Sequence, residues 1–179
     1  MHSYSKIILS LLITFFSANA LADNWRLTLE RAGFMGTMAL GGSYEWLPEH
    51  AVNFSVGGYH IDKEIFYQSN LSYRYSRWNT GVRGNLWRPL QFGVFASYAL
   101  NQDRFFLKSP DKYPSPGYYD ETALRYGLEL ASTMTFMPSH FAIGYHLRIF
   151  DTGIIAMFNN DNKDIQYYIS SGISLQYLF

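Results

Sequence analysis

Residues 170–179 read SSGISLQYLF, and their alternation decides the fold. Ile173, Leu175, Tyr177 and Phe179 fall on one side; Gly172, Ser174 and Gln176 fall on the other. Successive side chains of a strand point to opposite faces, so this stretch reads as a strand with one apolar and one polar or small face. Exposed termini usually fray and are polar. This one is patterned up to an aromatic last residue.

The same period-2 pattern recurs upstream. Val52, Phe54 and Val56 alternate with Asn53, Ser55 and Gly57. Leu90, Phe92, Val94, Ala96, Tyr98 and Leu100 share a face. Leu124, Tyr126, Leu128 and Leu130 oppose Arg125, Gly127 and Glu129. Phe141, Ile143, Tyr145 and Leu147 oppose Ala142, Gly144, His146 and Arg148. Three stretches look like diverged copies of one hairpin: YEWLPEHAVNFSV, GNLWRPLQFGVFA and MTFMPSHFAIGYH. Pro48, Pro89 and Pro138 suit tight turns, because proline presets φ and needs no N–H partner. The other connections read as longer and more polar: 31–36, 60–70, 101–121 and 151–164.

These signals predict eight strands, near 24–32, 36–47, 50–61, 70–87, 90–101, 121–136, 140–151 and 164–179. The expected fold class is all-β: an eight-stranded antiparallel barrel with the three proline turns at one end and the long loops at the other. SRWN (76–79) could hide a turn within the fourth strand, but one extra turn alone would break the even count.

At the other end, MHSYSKIILSLLITFFSANALADN has a lysine-bearing start, an apolar run from Ile7 to Phe16, and Ala20-Leu21-Ala22 as a cleavage site. This is the three-part pattern of a secretory signal peptide. The run is too short to span a bilayer as a helix. The expected division is a signal peptide over 1–22 and a barrel domain over 23–179. The 14 basic and 14 acidic residues balance, which argues against a nucleic-acid partner. With no cysteine, disulfides and thiolate metal sites are excluded. Tyr, Phe and Trp make up 18% of the chain.

Alternation alone does not say which face of a barrel is greasy. A soluble lipocalin-type barrel puts its apolar face inside, whereas a transmembrane barrel puts it outside. Two features favour the membrane. Aromatics (Trp46, Trp78, Trp87, Tyr145, Tyr177) cluster where interfacial girdles are expected. The terminal strand also resembles the assembly signal of bacterial outer-membrane proteins, with a last Phe and alternate apolar residues before it. Here these are Phe179, Tyr177, Leu175 and Ile173. The resemblance implies the outer membrane as location. It implies the assembly machinery, outer-membrane lipids and lipopolysaccharide as partners.

With greasy faces outward, the inward set becomes the candidate site: Arg26, Glu30, Glu45, Arg83, Arg125, Glu129, His146 and Arg148. An eight-stranded barrel is only wide enough for side chains, and buried charges must be paired. The expected result is a neutralised plug in which Glu129 lies nearly opposite Arg148. A catalytic Glu129–His146 pair with Ser170 or Ser174 is the sharper alternative. His60, beside Asp62, Lys63 and Glu64, has no metal-ligand spacing and reads as a loop residue. No metal or cofactor is expected. The 101–121 loop carries Arg104, Lys108, Lys112, Tyr113, Tyr118 and Tyr119, a candidate surface for a glycan or lipopolysaccharide.

The layout is similar to that of the lipid A deacylase family, whose late strand carries a His-x-Ser-Asn-Ala-Gly motif. Aligned on Gly153, that family's His falls on Arg148, its Ser on Phe150 and its Asn on Asp151. Nucleophile and base are both missing. The expected function is therefore non-enzymatic: structural, surface-interaction or envelope-integrity. A lipid A-modifying enzyme or a narrow channel is the alternative.

Overall fold

The computed structural model describes residues 24–32, 36–61, 64–100, 123–151, 154 and 169–179. The expected signal peptide (1–22) and the 101–121 loop, with Arg104, Lys108, Lys112, Tyr113, Tyr118 and Tyr119, lie outside the described residues.

Nine strands follow one another: β1 (Trp25–Ala32), β2 (Met38–Leu47), β3 (His50–Ile61), β4 (Glu64–Tyr75), β5 (Thr80–Val82), β6 (Asn85–Ala99), β7 (Leu124–Phe136), β8 (Phe141–Phe150) and β9 (Ile169–Leu178). Sequential neighbours other than β4 and β5 pair antiparallel, and β1 pairs with β9, from Arg26↔Leu178 to Ala32↔Gly172. β4 pairs directly with β6, from Gln68↔Ala99 to Tyr75↔Phe92. The eight longer strands therefore close on themselves as an antiparallel barrel, and closure pairs both edges of each of them. β5 is a short ninth strand, paired with the first residues of β6 (Thr80↔Trp87 to Val82↔Asn85). It continues the wall where β4 ends.

The turn expected at Pro89 is a correction. The chain reverses at Arg83–Gly84, with φ of 50° and 79°. Two successive positive φ values match the twist of a two-residue hairpin. Pro89 lies inside β6, where the register with β7 shifts between Arg88 and Gln91. A bulge interrupts the ladder and tolerates a residue without an N–H. The stretch expected as one strand over 70–87 holds the end of β4, a break at Ser76–Asn79, β5, the Arg83–Gly84 turn and the start of β6. The barrel count stays eight because the break does not reverse the chain. Pro48 lies in the β2–β3 turn, and Pro138 in the single 3-10 turn joining β7 to β8.

The 60–70 connection is a second correction. β3 and β4 pair out to Ile61↔Glu64, so only residues 62–63 separate them, and His60 is a strand residue rather than a loop residue. Phe66 inside and Ser69 outside break the greasy alternation there, which hides the strand from a periodicity reading.

Candidate functional site

The faces sort as the alternation dictates. Along β7 to β9, Leu128, Leu130, Ile143, Leu147, Ile173 and Leu175 point outward and are exposed. Arg125, Glu129, Thr133, His146, Arg148, Ser174 and Gln176 point inward and are buried. Among the described residues, the interior carries five arginines (Arg26, Arg74, Arg88, Arg125, Arg148) against Glu30, Glu45, Glu129 and Asp151. They sort into three tiers.

At the short-turn end, Glu45 is held by two arginines from different strands. Arg88 donates Nη1 to Oε1 at 2.5 Å and Nη2 to Oε2 at 2.9 Å. Arg26 Nη2 lies 2.7 Å from Oε1. Arg26 also donates to Gln176 at 3.3 Å, and Arg88 Nε to Asn79 at 2.9 Å.

In the middle, Glu129 accepts from Arg74 Nε and from Arg148 Nε. The other side of Arg148 donates to both oxygens of Glu30, with Nη2 3.2 Å from Oε2. His146 Nε2 lies 3.2 Å from Glu30 Oε1. Arg148 and Glu129 are each 2% exposed. A fork donor paired with carboxylates is the strong form of charged hydrogen bond. Gly93 makes this row possible. It sits on β6 between Arg74 of β4 and Glu129 of β7, paired with both. With no side chain there, Arg74 reaches across β6 to Glu129.

Toward the loop end, Phe95 and Phe150 pack with ring centroids 5.6 Å apart, walled by Ala39 and Ala99. The Arg148 guanidinium lies 5.9 Å from the Phe95 ring centroid. Arg125 pairs with Asp151 at 3.5 Å. Between the tiers run neutral contacts: Gln68 to Asn70 at 2.6 Å, Thr133 to Gln91 at 2.7 Å, and Asn53 to Ser72 at 3.2 Å. A cavity beside Glu30, Arg74 and Arg148 measures about 10 Å³, the space of one water at most.

Of the eight expected interior residues, Arg26, Glu30, Glu45, Arg125, Glu129, His146 and Arg148 lie inside, and Glu129 pairs with Arg148 across the β7–β8 ladder. Arg83 does not. It occupies the exposed turn between β5 and β6, because the reversal comes at Arg83–Gly84 rather than at Pro89. Sequence reasoning missed Arg74 and Arg88. Arg74 was legible: Asn70, Ser72 and Arg74 alternate with Leu71 and Tyr73. Arg88 was not, because strict alternation puts it in phase with outward Leu90, and the bulge flips that phase.

His146 approaches Glu30, and Ser174 Oγ makes no hydrogen bond among the described residues. No triad-like chain links Glu129, His146 and Ser174. Arg148 and Phe150, at the positions of the deacylase His and Ser, both face the interior. Among the described residues, no cluster of His, Asp and Glu could hold a metal ion.

The outer wall has its own order. At the short-turn end, Trp25 packs on Tyr44 (4.9 Å), Trp46 on His50 (5.6 Å), Trp78 on Phe92 (6.4 Å) and Phe141 on Tyr177 (5.2 Å). His50 Nδ1 and Tyr73 Oη are 2.7 Å apart. Phe179 meets Tyr177 edge-on at 5.5 Å, and its N–H donates to Trp25 O at 3.3 Å. Tyr145, expected at a strand end, lies mid-strand between Ser132 and Ile173. A sparser row of Tyr67, Tyr98 and Tyr126 lies toward the loop end. Comparison with protein-family models, with curated proteins and with solved structures finds no match.

Proposed function

We propose that this chain is a non-enzymatic outer-membrane β-barrel of a Gram-negative envelope, with a structural or surface-interaction role exerted through its loop end. One observation carries the reading: the barrel is inside-out. Phe54, Tyr126 and Ile173 are each more than half exposed on the outer wall, while five arginines and their carboxylate partners fill the interior. In water, that outer wall is an apolar patch far larger than soluble monomers carry. In a bilayer it is the expected surface. The ten residue steps from His50 to His60, at about 3.3 Å each and tilted 35–45°, cover about 23–27 Å, the height of an outer-membrane apolar band. Aromatic rings flank that band, as interfacial girdles do.

The ionic tiers support a closed plug over a channel, since the cavity beside them has room for no solute larger than water. The protein refolded into vesicles is expected to migrate faster on a gel unheated than boiled, and to resist protease except in its loops. A detergent-independent soluble monomer would overturn the membrane reading. Discrete conductance in a planar bilayer would overturn the plug. An acyl-chain mass change in lipid A, between cells with and without the gene, would replace the non-enzymatic role with a lipid-modifying one.

Ile173, Leu175, Tyr177 and Phe179 are proposed as the assembly signal that addresses the chain to the assembly machinery. Deleting Phe179 is expected to lower the assembled, heat-modifiable form in envelopes several-fold, while the variant refolded in detergent keeps nearly normal stability. Normal assembly of the truncation would remove this role. Lipopolysaccharide and outer-membrane lipids are the proposed neighbours of the wall.

A further inference from the structure

The outer wall of β1–β4 is not smooth. Near the loop end it carries an apolar groove of about 470 Å³, lined by Leu29, Met38, Leu40, Val56, Ile65 and Tyr67. Its floor is Gly58, an outward-facing position opposite Met38 on β2 and Tyr67 on β4. The chain entering β2 closes the upper edge: Thr37 N donates to Gly58 O at 2.8 Å. A side chain at Gly36 (φ +104°) would come within 2.8 Å of Gly58 N, so only glycine lets this edge sit so close.

The groove's ends differ chemically. Its body is apolar, while His60 lines its loop-side end. Arg31 follows Leu29 on the same face of β1, about 7 Å further toward the loops, and is exposed. Among the described residues, Glu64 at the β3–β4 hairpin brings an acidic group to that rim. A volume near 470 Å³ has space for about fifteen water-sized groups, comparable with one long acyl chain. An apolar slot with an exposed arginine, Arg31, at its end matches an acyl chain that carries an anionic headgroup.

Resting on the outer-membrane reading above, we propose that this groove binds one acyl chain of lipid A, with its phosphate held at the rim by Arg31 and His60. The site is a fixed lipid position on the wall, distinct from the exchanging lipid around it.

Gly58 supplies the test, because a Cβ there meets nothing closer than the Tyr67 ring at 3.7 Å. Gly58→Leu therefore fills the groove without forcing strands apart. The full chain, refolded in detergent with an equimolar mixture of hexa-acylated lipid A, phosphatidylglycerol and phosphatidylcholine, is examined by native mass spectrometry. The wild type is expected to retain one lipid A. Gly58→Leu is expected to hold it about tenfold more weakly, about 1.4 kcal/mol. Arg31→Gln is expected to keep lipid bound but lose the preference for lipid A over phosphatidylcholine. Equal retention by the wild type and Gly58→Leu would overturn the site, as would retention of phosphatidylcholine as readily as lipid A. Preferential capture of phosphatidylglycerol would overturn the lipid A assignment. Gel mobility of the same samples separates the readings. A barrel that folds and inserts yet holds no lipid A refutes the groove alone; one that fails to insert refutes the membrane assignment.

Discussion

Arg148→Met is expected to destabilise the refolded barrel by about 3–5 kcal/mol, the cost of leaving buried charge without its partner. Arg148 serves two carboxylates, Glu30 and Glu129, inside the barrel. Its loss leaves Glu30 with His146 as its paired neighbour and Glu129 with Arg74. Urea unfolding in detergent, followed by loss of the fast-migrating band, measures the change. The sharper check is the double variant Glu30→Gln with Arg148→Met. Removing both partners takes away the uncompensated charge, so much of the stability should return. Two single losses that simply add would refute the coupling.

The second large effect is expected at Gly93. A Cβ there would lie 2.8 Å from Tyr73 O, and 3.4 Å from both Arg74 Cγ and Glu129 Cβ. Gly93→Val pushes on backbone that cannot yield without opening the β4–β6 ladder. It also fills the gap across which Arg74 reaches Glu129. Overpacking costs about 1–3 kcal/mol, and a severed buried pair about 3–5 kcal/mol. Together these rival the whole stability of an ordinary domain, about 5–15 kcal/mol. No heat-modifiable form should accumulate on refolding. Near-wild-type unfolding would mean that Gly93 is a spacer of no consequence.

Much of this was legible in the sequence because a barrel wall imposes a strict two-residue period. β7, β8 and β9 keep that period without a break, so their inward residues, the Glu129–Arg148 pairing and the even strand count follow from spacing. Legibility fails where the period does. Phe66 and Ser69 disguise the start of β4. The bulge after Arg88 reverses the phase and hides that arginine from any count of inward charges. Pro89 looks like a turn residue because its missing N–H suits a turn and a bulge equally well. The role of the loops was never a matter of period, and nothing in the alternation bears on it.

The Glu30–Arg148 contact joins residues 118 positions apart, across the seam where β1 meets β9. No stretch of chain shorter than nearly the whole barrel can form it. A ribbon still unclosed at that seam carries Glu30 and half of the Arg148 fork unmatched, and prefers water. Only the completed ring pairs Glu30 with Arg148. The ion pair thus works as a proofreading step, withholding this buried pairing from every partly assembled sheet and granting it when the first and last strands have met in register.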